Sequence, residues 1–155
     1  MDFPLLFKRS TDGGTNFGKA IKLAEDVDYT SRVAAVGTNV YIVWQSFSPQ
    51  GIFFVRSVDS GTSFEKPIKL GKSPLELNTP QIAVHGKSTV YVAWREHIPG
   101  QSDIFYARSM DDGKSFGYTI NLSNNAGESD EPRLAVANNG NNVYVVWNDD
   151  TTHQD

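Results

Sequence analysis

Cysteine is absent from this sequence of 155 residues. That excludes disulfides, thiolate nucleophiles and cysteine-ligated zinc. Histidine is scarce: His85, His97 and His153 stand far apart, without metal-ligand spacing, so no metal is expected, and no motif calls for a cofactor. Charge of one sign never accumulates, and the net charge of -4 offers no basic footprint for nucleic acid. No window approaches the roughly 18 apolar residues of a membrane span. The opening Met1-Asp2-Phe3-Pro4-Leu5-Leu6-Phe7 lacks a basic flank and carries only a short apolar run, so no signal peptide is expected. Helical periodicity is missing as well.

What is present is repetition. Ser10-Thr11-Asp12-Gly13-Gly14-Thr15-Asn16-Phe17 recurs as Ser57-Val58-Asp59-Ser60-Gly61-Thr62-Ser63-Phe64, and again as Ser109-Met110-Asp111-Asp112-Gly113-Lys114-Ser115-Phe116. The aspartates follow one another after 47 and 52 residues. A second marker keeps step: Val40-Tyr41-Ile42-Val43-Trp44, Val90-Tyr91-Val92-Ala93-Trp94 and Val143-Tyr144-Val145-Val146-Trp147. Four short strands are expected per unit. The inner ones are Ser31–Val36, Pro80–Val84 and Pro132–Val136, followed by the Val-Tyr-x-x-Trp strands. The third strands are Ile52–Arg56 and Ile104–Arg108, and the outer ones end in Ile21–Leu23, Ile68–Leu70 and Ile120–Leu122. A period of about 50 residues made of short strands belongs to propeller blades. The expected fold is therefore all-β, a β-propeller of four-stranded antiparallel blades.

The octet Ser-x-Asp-x-Gly-x-x-Phe has a physical logic. An aspartate at a hairpin tip accepts hydrogen bonds from backbone N–H groups across the turn. Gly14, Gly61 and Gly113 permit positive φ, and Phe17, Phe64 and Phe116 fold back on the sheet. The octet resembles the Asp box, or BNR repeat, of sialidases and related propellers, in which it joins the third and fourth strands of a blade. Two departures stand out: the family often ends the box in Thr-Trp, whereas these copies end in Asn16-Phe17, Ser63-Phe64 and Ser115-Phe116. On this reading Ser10, Asp12, Gly14 and Phe17, Ser57, Asp59, Gly61 and Phe64, and Ser109, Asp111, Gly113 and Phe116 are structural.

Residues 1–30 read as the last two strands of a blade, 31–78 and 79–130 as complete blades, and 131–155 as the first two strands of another. That is three blades' worth of material, and propellers typically have about four to eight blades. The expected solution is a homodimer: strand exchange at two seams with a second copy gives six blades and two-fold symmetry.

The resemblance also suggests where a ligand would sit. Sialidases hold a substrate carboxylate with arginines near the propeller axis, one of them at the start of an inner strand. Arg32 and Arg133 stand at that register, with Gln81 between them; Glu96, Asp149 and Asp150 follow the tryptophan strands and could share the mouth. The competing expectation is a polar rim in which the arginines pair with Glu128, Asp130 or Glu131. Trp44, Trp94, Tyr29 and Arg32 could offer stacking and charge to a sugar or anionic small molecule, although buried blade tryptophans explain the aromatics better. Arg9, Arg56 and Arg108 each precede an octet and are explained by the repeat. No tyrosine–glutamate pair of the sialidase kind can be identified. The expected function is a non-catalytic, self-assembling module that binds a glycan or anion at the channel mouth. The alternatives are a sialidase-type glycoside hydrolase and a purely structural fragment. An extracellular or cell-surface parent is suggested by the family alone.

Overall fold

A computed structural model describes residues 3–72, 80–86, 88–98 and 100–151, with Asp28 and Tyr29 described by their backbone alone. Tyr29 as a stacking residue, His153, and the unit boundary at 78/79 thus lie outside what is described.

Twelve strands occur among these residues, and no helix: β1 Leu5–Phe7, β2 Ile21–Ala24, β3 Val27–Val36, β4 Asn39–Phe47, β5 Gln50–Ser57, β6 Ile68–Gly71, β7 Gln81–His85, β8 Thr89–Ile98, β9 Gln101–Ser109, β10 Ile120–Asn121, β11 Ser129–Val136 and β12 Val143–Asp149. They form four antiparallel sheets in the orders β1-β2, β3-β4-β5-β6, β7-β8-β9-β10 and β11-β12. Every expected strand is present. β3 starts at Val27, earlier than the apolar run suggests, because Val27 still pairs with Ser46 beyond a bulge.

The β-branched and aromatic residues that favour extended chain are read by both faces of the two middle sheets. On one face of β4, Tyr41 and Val43 join Ile52 and Phe54 of β5 and meet Val90, Val92 and Trp94 of the next sheet. On the other, Ile42 and Trp44 pack with Val55 against Leu5, Phe7 and Leu23. The sheets therefore stack face to face in chain order, and burial on both faces explains why β4 and β8 are nearly continuous apolar runs. Across each middle pair the tryptophan lies over a phenylalanine: Trp44 on Phe53 with ring centroids 5.9 Å apart, Trp94 on Phe105 at 6.3 Å.

Candidate functional site

The Asp turns connect β1 to β2, β5 to β6 and β9 to β10, and their hydrogen bonds repeat. The serine hydroxyl donates to aspartate Oδ1, at 2.6 Å for Ser10–Asp12 and 2.7 Å for Ser57–Asp59 and Ser109–Asp111. The same hydroxyl accepts the glycine N–H at 2.9, 2.9 and 2.8 Å. Oδ1 also accepts the main-chain N–H of Asn16, Ser63 and Ser115, and Oδ2 accepts their side chains. These donors favour the ionised form. The hydroxyl of Ser10 and the two N–H groups of Asn16 lower the Asp12 carboxyl to about 2; those of Ser115 and Ser109 bring Asp111 to about 2; Asp59 falls further still. All three carboxylates are consumed by their own turns. The sequence concealed two parts of this device: the serine as a bridge, and a second left-handed residue before the glycine, with φ of 70° at Gly13, 59° at Ser60 and 70° at Asp112.

The turns also join neighbouring sheets. Arg9 Nη1 donates to the main-chain oxygen of Ser60 at 2.9 Å and to Thr62 Oγ1 at 2.8 Å. Arg56 Nη1 donates to the oxygen of Asp112, at the equivalent position, at 3.0 Å. Phe7 lies over Gly61 and meets Phe64 edge-on; Phe54 lies over Gly113 and meets Phe116 in the same way, with centroids 4.9 Å apart in both. Here the phenylalanines of the turns pack on the preceding sheet. Phe17 does not, and is 60% exposed. Arginine recurring just before each octet, with an aromatic two residues earlier, was the signal for this grip.

At the opposite end of the sheets stand the rim residues. Arg32 lies across from Val43, Gln81 from Ala93 and Arg133 from Val146, so the three share one register on successive inner strands. Arg32 is exposed, its Nη1 turned to the main-chain oxygen of Ser31 at 2.9 Å. Arg133 donates to the Pro132 oxygen at 3.1 Å, with Glu131 3.8 Å away. Glu128 and Asp130 pair instead with the buried Arg95, at 3.1 and 3.8 Å. The polar-rim pairing thus holds for Arg133 and leaves Arg32 without an acid among the described residues.

Glu96 and Asp149 have work of their own. Glu96 Oε2 accepts the Trp94 indole N–H at 3.2 Å, and Asp149 Oδ2 that of Trp147 at 3.1 Å. Asp149 also accepts from Ser129 and Asn125; with the donors of Thr151 foremost, its carboxyl lies well below the usual range. Asp150 accepts the Glu128 N–H at 2.6 Å. These acids each close hydrogen bonds within the chain. His85 meets the Asn138 oxygen at 2.7 Å and His97 the Ser102 hydroxyl at 3.1 Å. Among the described residues no group of metal-ligating side chains assembles.

Two of the three recurring tyrosines are committed too. Tyr41 donates to Asp112 and Tyr91 to the Gly140 oxygen. Burial, aided by the Asp112 carboxylate, pushes the Tyr41 hydroxyl up to about 12, away from the phenolate a nucleophile needs. Comparison of the chain with protein-family models, with curated proteins and with solved structures finds no match.

Proposed function

We propose that this chain is a non-catalytic, sialidase-like Asp-box propeller module that closes a six-bladed ring with a second copy and receives an anionic or sugar ligand at the rim bearing Arg32. The observation that carries this reading is the division of strands into sheets of two, four, four and two. β12 and β1 each pair on one side only among the described residues. Joined across two chains in the register that Trp44 and Phe53 set within β4–β5, Trp147 comes opposite Leu6, and each two-stranded pair becomes a four-stranded blade. Exposed edges of this kind invite pairing, and two equivalent seams give the commonest homo-oligomer symmetry.

Two features favour a binding rim over a catalytic one. The hydroxyls of Tyr41 and Tyr91 and the carboxylates of Glu96, Asp149 and Asp150 are engaged in intrachain hydrogen bonds. Arg32, exposed and without an acid partner among the described residues, retains the fork that suits a carboxylate. Mass by light scattering across a dilution series tests the assembly: a particle of twice the chain mass is expected, and a folded monomer at all concentrations refutes the ring. Titration with sialic acid tests the rim, with binding expected to weaken in Arg32→Ala.

A further inference from the structure

The grip that joins neighbouring sheets is built twice within the chain, and both halves of a third instance stand unmatched. Tyr106 and Arg108 of β9 occupy the positions of Phe54 and Arg56, as the pairing of Tyr106 with Ile120 and of Phe54 with Ile68 fixes. Arg56 is buried against the next turn, whereas Arg108 is exposed and its side chain makes no hydrogen bond or ion pair among the described residues. Around it opens a groove of about 640 Å³, shared with Tyr118 and Ile120, which are 98% and 51% exposed. The unmatched turn is the first. Gly61 and Gly113 lie under phenylalanine rings, but nothing approaches within 4 Å of a Cβ placed on Gly14, although its φ of +90° matches theirs. Among the described residues Phe17, the counterpart of Phe64 and Phe116, is without the ring that each of those meets.

We infer that the Asp turn 10–17 of one copy docks into the Tyr106–Arg108 groove of another. Arg108 donates to the main-chain oxygen of Gly13, the Tyr106 ring covers Gly14, and Phe17 meets that ring edge-on. The chemistry suits a turn of any sequence at the fourth position, because both internal arginines take a main-chain oxygen there, once from serine and once from aspartate. Further surface is left uncovered in the complementary sense. Val33 is 63% exposed while Ile82, its counterpart opposite Val92, packs on the preceding sheet. Tyr144 and Val146, at 56% and 63%, are the counterparts of buried Tyr41 and Val43. A second copy brings Val33 against Tyr144 and Val146, as Ile82 packs against the cluster that holds Tyr41 and Val43.

This docking rests on the ring reading, and the two fail differently. Sedimentation of the full chain over a dilution series would compare the wild type with Phe17→Ala, Arg108→Ala and, as a control on an exposed turn residue elsewhere, Val58→Ala. All three side chains lie at the surface of the single chain, and circular dichroism checks that each variant folds. The expected result is a wild-type dimer whose dissociation constant rises by at least about tenfold in Phe17→Ala and in Arg108→Ala, the size of a central contact residue, and is unchanged in Val58→Ala. A wild-type dimer indifferent to both substitutions overturns the docking and leaves the ring standing. A monomeric wild type overturns both.

Discussion

The phenol of Tyr41 donates to the carboxylate of Asp112 at 2.5 Å, joining the middle strand of one sheet to the Asp turn of the next. Asn39 Nδ2 reaches the same oxygen at 2.7 Å, so Asp112 retains a partner when the phenol is removed. Tyr41→Phe is expected to lower unfolding free energy by about 1 kcal/mol, as for a single net hydrogen bond, in urea titrations at neutral pH. The phenol also sets an alkaline limit. Its folded pKa of about 12 lies above the ordinary 10.0, so its contribution is fully present below about pH 10 and is lost as pH rises through 12. Tyr41→Phe should flatten stability against pH in that window, and an unchanged slope would remove Tyr41 as its source.

Acid acts through the turns. The carboxyls of Asp12 and Asp111 are lowered to about 2 from 3.8, and that of Asp59 further. A depressed carboxylate contributes stability above its unfolded pKa and loses it as pH falls through its folded one. Stability is therefore expected to fall between about pH 4 and pH 2, and Asp111→Asn should reduce the slope there while leaving the alkaline side alone. Circular dichroism melts at stepped pH would read this, and equal acid slopes in the two proteins would contradict it.

Gly113 and Gly14 share a backbone conformation and differ in surroundings. A Cβ on Gly113, at φ +80°, would lie 2.8 Å from Phe54; Gly113→Ala combines left-handed strain of about 1–2 kcal/mol with overpacking of about 1–3 kcal/mol. Gly14→Ala meets no atom within 4 Å and should show the strain alone when chemical denaturation is followed in dilute, monomeric chain. At concentrations where the Tyr106 groove is filled, the same substitution is expected to weaken self-association.

Strands and turns were legible because each is a local pattern repeated in step: Val-Tyr-x-x-Trp marks the second strand, and Ser-x-Asp-x-Gly marks the third-to-fourth connection. The shared register of Arg32, Gln81 and Arg133 followed from aligning the repeated inner strands that contain Arg32-Val33-Ala34, Gln81-Ile82-Ala83 and Arg133-Leu134-Ala135. Contacts between sheets were less accessible. Nothing local to Arg56 reveals that it holds Asp112, 56 residues on, or that Phe116 meets Phe54 rather than its own sheet. The acids Glu96 and Asp149 were expected at a ligand and serve the indoles two residues before them; alternation puts both on one face of a strand, a neighbour relation that charge alone does not display.

Those indoles allow the rim to be separated from its supports. Glu96 and Asp149 accept from Trp94 and Trp147, but the corresponding residue after Trp44 is Ser46, and Trp44 Nε1 is buried without a partner among the described residues. A buried donor left unmet is destabilising by about 1–3 kcal/mol. Glu96→Ala would create the same defect at Trp94, whose side chain is fully buried. It is expected to lower stability by at least about 1 kcal/mol, and to leave affinity for an anionic sugar unchanged once folding is corrected for. Among the described residues the Arg32 side chain bonds only to its own strand, at the Ser31 oxygen, so Arg32→Ala should do the reverse: little change in unfolding midpoint, with binding reduced. Paired urea melts and ligand titrations on the two variants decide the matter. Loss of binding in Glu96→Ala at full folding would return that carboxylate to the ligand site.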